Sequence, residues 1–392
     1  MTVRAVGDFA VIERLDELVL AGPRGPIKTF EMERWGPTGQ TSYGDVVTHA
    51  TLADPPRLAV LKRGLGVRNG GIIEERAVAL LDPTSGDVER EIDVDGRDLL
   101  GFDPTGARLL VRTRSGLVVI DDDVEAHVVG GTLGADTPGL HVHFAVDGAS
   151  CVVRESLGDN GRIARIDLVN LRAVWAEHVD TWGMVVDTEL ARAVVLEGAP
   201  SQRGGGSSHV GRNYDVDTIA VWDLEQGHRI APPLEHHART QLRLLYGARD
   251  LGRVAVVDEH GVLRTFAATT RDGPWLAHER THRLPLERLA GVDVDRDRAL
   301  YANDDGAFLT TLAGDVIATE RASRLCFAGN GAAVVVVDGA LRVLDALDRI
   351  DGRSCMLEGP TGVVDIAPHP RGVLAIDDDD AAYVVDVPEA RQ

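Results

Sequence analysis

Lysine is almost missing from this 392-residue chain: Lys28 and Lys62 are the only two among its 41 basic side chains. The 62 acidic residues outnumber the arginines and set a net charge of −21. A surface of that sign repels phosphodiesters and anionic lipid, so neither nucleic acid nor a membrane is expected as the main partner. No motif demands arginine over lysine, and the bias points to a GC-rich, bacterial coding sequence.

Aromatic residues are equally scarce, at 4% against 44% hydrophobic residues in all. The core must then be built from Val, Leu, Ala and Ile, which suit pleated sheets. Only three cysteines are present, Cys151, Cys326 and Cys355, each in or beside an apolar run. An odd number so placed reads as buried free thiols in a reducing compartment rather than a disulfide framework. No apolar run approaches the roughly 18 residues of a membrane-spanning helix. The opening "MTVRAVGDFAVIERLDE" carries acidic residues where a signal peptide needs an apolar stretch, so a cytoplasmic location is expected.

Catalytic signatures are absent too. The chain holds no Gly-x-Ser-x-Gly, no His-Glu-x-x-His, no Cys-x-x-Cys and no Gly-Lys-Ser/Thr. No catalytic residue is assigned and no cofactor is implied.

What the sequence does contain is repetition. "VWDLEQGHRI" (221–230) places Trp222-Asp223 at the end of an apolar run, followed by a turn at Gly227. "VALLDPTSGDVEREI" (78–92), "GLVVIDDDVEAHVV" (116–129), "IARIDLVNLRAVW" (163–175) and "GALRVLDALDRI" (339–350) keep the run and the Asp without the Trp. The short carboxylate recurs because it can accept backbone N–H groups in a tight turn. Ahead of each such element lie two more apolar strands around a polar turn, most cleanly in "LLGFDPTGARLLVRTRSGLVVID" (99–121). Each unit is therefore four short strands joined by Gly, Asp, Asn and Pro turns, with no helical period.

Units begin near residues 45, 98, 140, 181, 241, 286, 322 and 362, close to the ~40–45-residue period of propeller blades. Residues 235–266, "EHHARTQLRLLYGARDLGRVAVVDEHGVLRTF", resemble a complete WD repeat, and the chain is similar to the WD-repeat β-propellers over essentially its whole length. The resemblance implies an all-β fold: one closed propeller of four-stranded antiparallel blades spanning residues 1–388. Eight blades are expected, with seven as the alternative. The last unit supplies only three strands, so one strand of residues 1–44 is expected to complete it and close the ring. The segment "ALLDPTSGDVERE" is also similar to the docking motif of eight-bladed quinoprotein dehydrogenases, with charged residues where that motif has Trp.

Two Gly-rich, Arg-bearing stretches are candidate binding loops on one face of such a propeller: "KRGLGVRNGG" (62–71) and "APSQRGGGSSHVGRNYDVD" (199–217). Arg63, Arg68, Asn69, Arg203, His209, Arg212, Asn213 and Tyr214 are the residues assigned to partner contact, since arginines offer paired donors to carboxylates. The partner so implied is another protein within a complex, presenting an acidic segment. His178, His237 and His282 fall between blades and are candidate metal ligands at the channel mouth. They support the alternative of a metal-dependent hydrolase or lactonase, whereas the WD resemblance implies that such histidines lock blades together. Asp293, Asp295 and Asp297 have calcium-loop spacing, but Arg298 stands where that loop needs Gly, so a solvated turn is expected.

Overall fold

The computed structural model describes residues 1–32, 34–35, 41–42, 46–68, 71–121, 125–127, 139–156, 161–179, 181–198, 217–236, 242–258, 260–269, 275–285, 288–344 and 355–387. These residues form a β-propeller whose nine small antiparallel sheets are taken in chain order as blades one to nine, with a further two-stranded pair, Arg34–Trp35 and Thr41–Ser42, between blades one and two in the chain. Their first strands are Thr2–Val6, Val46–Leu52, Gly96–Phe102, Gly139–Phe144, Thr181–Val186, Leu242–Gly247, Arg288–Asp293, Arg324–Phe327 and Val363–His369. At seven of the nine seams the first strands of neighbouring blades lie against one another, and together they form the inner ring. In blades two, three, five, six, seven and nine the pairing of first with second strand slips by one residue. Such bulges increase local twist and bend the strand, which suits a strand curving past a central axis.

The blade number corrects the expectation of eight. Thr2–Val6, Phe9–Glu13, Glu17–Gly22 and Gly25–Glu31 pair in sequence as a complete blade of their own. None of them joins the last blade, which among the described residues has three strands: Val363–His369, Gly372–Asp377 and Ala382–Asp386. Closure is achieved by packing sheet on sheet. Ala10, Ile12, Val19 and Ala21 of blade one bury themselves against Leu374, Ile376 and Ala382 of blade nine.

Each of the other eight seams has an apolar cluster of the same kind. Central-strand sequences such as Leu117–Ile120 and Ala333–Val337 are apolar at almost every position because both faces of a blade are covered by neighbours. Fully burying one such Val or Leu contributes about 1.5–3 kcal/mol. Trp222 obeys this logic: it sits on the third strand of blade five, 5% exposed, within the cluster shared with blade four.

Three of the recurring aspartates occupy the turns the sequence assigned to them, and Asp345 lies outside the described residues. Asp82 accepts hydrogen bonds from Thr84 N and the Thr84 and Ser85 hydroxyls. Asp167 accepts from Val169 N and Asn170 N, and Asp223 from Glu225 N and Gln226 N. A second set, which the repeat alignment did not single out, closes the turns between first and second strands. Asp103 accepts from Ala107 N and Arg108 N, and Asp187 from Ala191 N and Arg192 N.

Alternate strands of a blade run in opposite directions, so these two turn types share one face of the ring. On that face every blade is tied to the next. Gly7 N donates to Ala53 O, Arg57 Nε to Gly106 O, and Arg108 Nη1 to Gly148 O. Arg165 and the Trp175 indole both donate to Leu224 O, and Thr188 N donates to Arg249 O. Arg253 pairs with Asp297 at 2.5 Å, Arg298 donates to Gly331 O, and Gly329 N to Gly372 O. The belt closes where His369 Nε2 meets Gly7 O and Arg371 pairs with Asp8.

Candidate partner-binding face

The opposite face carries the second-to-third-strand connections and the crossings between blades. Its most prominent described feature belongs to blade two. The second strand, Arg57–Arg68, and the third, Gly71–Leu81, run well past their neighbours in the sheet. The first strand pairs only with Arg57–Lys62 and the fourth only with Ala77–Leu81. From Arg63↔Arg76 to Arg68↔Gly71 the two strands pair solely with each other, as a two-stranded ribbon.

Arg63 and Arg68 therefore lie on a strand rather than in a loop. The Gly-rich composition suggested a loop because glycine is depleted in strands. The informative signal was Asn69-Gly70 between apolar runs, the strongest short-range mark of a hairpin. Arg63, at the ribbon's base, is half-buried. Asn69 and residues 199–216, with Arg203, His209, Arg212, Asn213 and Tyr214, lie outside the described residues, as does the Arg68 side chain. The strands that bracket 199–216, Arg192–Gly198 and Asp217–Asp223, are the second and third of blade five. They pair up to Gly198↔Asp217, so this connection and the ribbon of blade two leave their blades at the same strand position.

Further cations stand on this side of blades two to four. Arg76 donates to Gly96 O across the seam at 3.1 Å. Arg112 lies 3.8 Å from Asp98, whose carboxyl is pushed above its usual range by burial, against the pull of Arg112 and a hydrogen bond from Thr48. Arg154 is buried and donates to Thr181 O in blade five. Beside it, burial and the Arg154 charge lower the basicity of His141 and His143. One carboxylate here was not foreseen. Glu197, 5% exposed, accepts the Trp222 indole N–H at 2.7 Å and Arg229 Nη2 at 2.6 Å. Its partners stand 25 and 32 positions away, so no local sequence signal could have found it.

Of the candidate metal ligands, His178 and His282 stand on the fourth strands of different blades, four and six. His178 is exposed at the end of the fourth strand of blade four. His282 covers Gly314 of blade seven so closely that a Cβ added there would lie 2.2 Å from the imidazole. The same arrangement places Trp175 over Gly227 and Lys28 over Gly86, so His282 acts as a brace between blades. His237 lies outside the described residues. Among the described residues no three His, Cys, Asp or Glu side chains converge as a metal site would require. Asp293 and Asp297 are engaged by arginines and Asp295 by Arg249 N, as suits a turn between strands. Burial pushes the Cys151 and Cys326 thiols up to about 12, so both are unreactive packing residues.

No family model and no curated protein matches the chain. Among solved structures it is similar to Sqt1 of Saccharomyces cerevisiae, at 12% identity over 88% of this chain and 96% of that one, with a TM-score of 0.51. The fold is that of a β-propeller. The β-propeller domain of Cps50 (Swd1) from Myceliophteria thermophila aligns over 99% of this propeller and 97% of that chain, at 14% identity and a TM-score of 0.37. Hsv2 of Kluyvelomyces marxianus aligns over 80% of this propeller and 88% of that chain, at 12% identity and a TM-score of 0.41. At these identities the likeness concerns the fold alone.

Proposed function

We infer that the protein is a non-enzymatic interaction platform, a scaffold subunit of a cytoplasmic bacterial multiprotein assembly that holds an acidic segment of a partner protein. The ribbon of blade two carries this reading. Its paired backbone presents Arg63 and Arg68 on a projection fixed to a rigid ring, and contacts made from ordered backbone lose less entropy on binding than contacts from a free loop. Arg203 and Arg212 belong, by chain position, to the corresponding connection of blade five. In a chain of net charge −21, four arginines brought to one face would form a local basic rim. Such a rim steers an acidic segment and can hold its carboxylates through paired hydrogen bonds. Tyr214 and His209 supply flat contact area at its edge.

The test compares wild type with a variant in which Arg63, Arg68, Arg203 and Arg212 are replaced by Ser. Both are purified from the native host and their companions identified by mass spectrometry. The expected result is a defined partner with wild type that is lost from a variant of nearly unchanged melting temperature. Equal recovery from both proteins would sink the reading. Stoichiometric metal in the purified protein, bound through histidines or carboxylates, would instead favour the hydrolase alternative.

A further inference from the structure

Blade nine differs from the other eight in one respect: among the described residues it has no fourth strand. The edge left on its outer side is Ala382–Asp386, a third strand with third-strand sequence. "AYVVD" has no charged residue before its last position, and Ala382 and Val385 are buried against the neighbouring blades. Most outer strands elsewhere carry charge, although Val316–Glu320 of blade seven ("VIATE") is charged only at its last position and Cys355–Met356 of blade eight has none. Gly25–Glu31 carries Lys and Glu, Val88–Asp93 reads "VEREID", and Leu276–Arg283 reads "LAHERTHR". Charge on an outer edge is the usual protection against unwanted strand pairing. The edge of blade nine lacks it, while packing holds the strand extended in full register with Gly372–Asp377. Outward-pointing N–H and C=O groups on such a strand form a template for one more strand.

We propose that this edge accepts an extended segment of a partner protein as the fourth strand of blade nine. Charge selects the occupant. Exposed Asp378 and Asp379 stand just ahead of the strand and exposed Asp386 at its end. Antiparallel pairing of two copies of this edge would place the acidic start of each beside the acidic end of the other, which repels. A segment with alternating β-branched residues flanked by Lys or Arg has the complementary pattern. Main-chain hydrogen bonds supply its affinity, and the flanking charges supply its direction and selectivity. This surface is separate from the arginine rim and stands or falls independently of it.

The probe is a displayed library of random 12-residue peptides selected on the full-length protein. Enriched sequences are then synthesised and their binding sites mapped by amide hydrogen exchange. The expected winners alternate Val, Ile or Thr, end in basic residues, and slow exchange at Ala382–Asp386. Asp378→Lys combined with Asp379→Lys and Asp386→Lys should weaken them at least tenfold and leave ligands of the blade-two ribbon unaffected. The proposal is overturned if no peptide protects this strand, if acidic and basic flanks bind equally, or if the free protein is a dimer with these amides already protected.

Discussion

On the face formed by the first-to-second and third-to-fourth turns, blade after blade repeats one device: a donor from one blade bonds a turn of the next. Arg57, Arg108 and Arg298 stand at or near the start of the second strands of blades two, three and seven and reach Gly106, Gly148 and Gly331. Among the described residues the opposite face repeats no one device around the whole ring. Its second-to-third connections range from Asp304-Asp305 to the ribbon of blade two and residues 199–216. One face thus carries the instructions for assembling the ring, and the other is where the chain departs from the repeat. Departure on a rigid frame is where binding surfaces are expected, because variation there does not disturb the seams.

The sharpest break of this comparison is at a seam itself. Trp222 fills the contact between blades four and five, and its indole N–H satisfies buried Glu197. Trp222→Ala should cost on the order of 3–5 kcal/mol, as large-to-small core changes do. Urea unfolding measures it, and a loss below about 1 kcal/mol would mean the seam tolerates a void.

His49 offers a second probe, one that responds to pH. It is 8% exposed beside blade one, its Nε2 has no hydrogen-bond partner, and burial aided by the Arg4 charge lowers its pKa to about 4. The unfolded chain, with an ordinary histidine near 6.5, binds the proton more readily than the folded ring. Stability is therefore retained above pH 6.5, falls as pH drops toward 4, and levels off below. The loss from this group approaches about 3 kcal/mol. His49→Leu should flatten that limb of the stability profile. An unchanged slope between pH 6.5 and 4 would assign the acid sensitivity elsewhere.

A smaller effect is expected at Gly227, in the third-to-fourth turn of blade five. Its φ of 72° is left-handed, and a Cβ there would lie 2.6 Å from the Trp175 ring. Gly227→Ala should cost about 1–2 kcal/mol from the backbone alone, plus displacement of the indole that bonds Leu224 O. Trp175→Leu in the same chain relieves the clash, so the double variant should lose less than the sum of the singles. Strict additivity would break the claim that the turn and the brace act as a unit.

These contrasts also account for what could be read in advance. The propeller class and the aspartate turns were legible because each turn closes over a few residues, as Asp82, Asp167 and Asp223 do. Blade number was not. Blade one ends its third strand in Gly22-Pro23-Arg24-Gly25 instead of an Asp turn, so its four strands carried no repeat signature. Closure rests on Arg371 with Asp8, 363 positions apart, and on apolar packing that looks alike at every seam. The arginines of the candidate face were visible as residues, but their support was misread. Gly64, Gly66, Gly70 and Gly71 suggested a loop, while the register from Arg63↔Arg76 to Arg68↔Gly71 makes Arg63 and Arg68 part of a strand pair.

That register leads to the smallest expected effect. Residues 64–75 make no ladder with the first or fourth strand of blade two. Replacing them with Asn-Gly joins Arg63 to Arg76 by a two-residue hairpin, the connection most compatible with strand twist. Because no residue of the described seam clusters is removed, stability should change by less than about 1 kcal/mol, within the range of surface changes away from buried features. Partner capture should nevertheless fall sharply, since Arg68 and Asn69 leave with the ribbon. Thermal unfolding and co-purification of the same sample read the two halves separately. A large fall in melting temperature would show that the ribbon stabilises the ring. Unchanged stability with undiminished capture would remove the ribbon from the binding face and leave the connection of blade five as the remaining candidate.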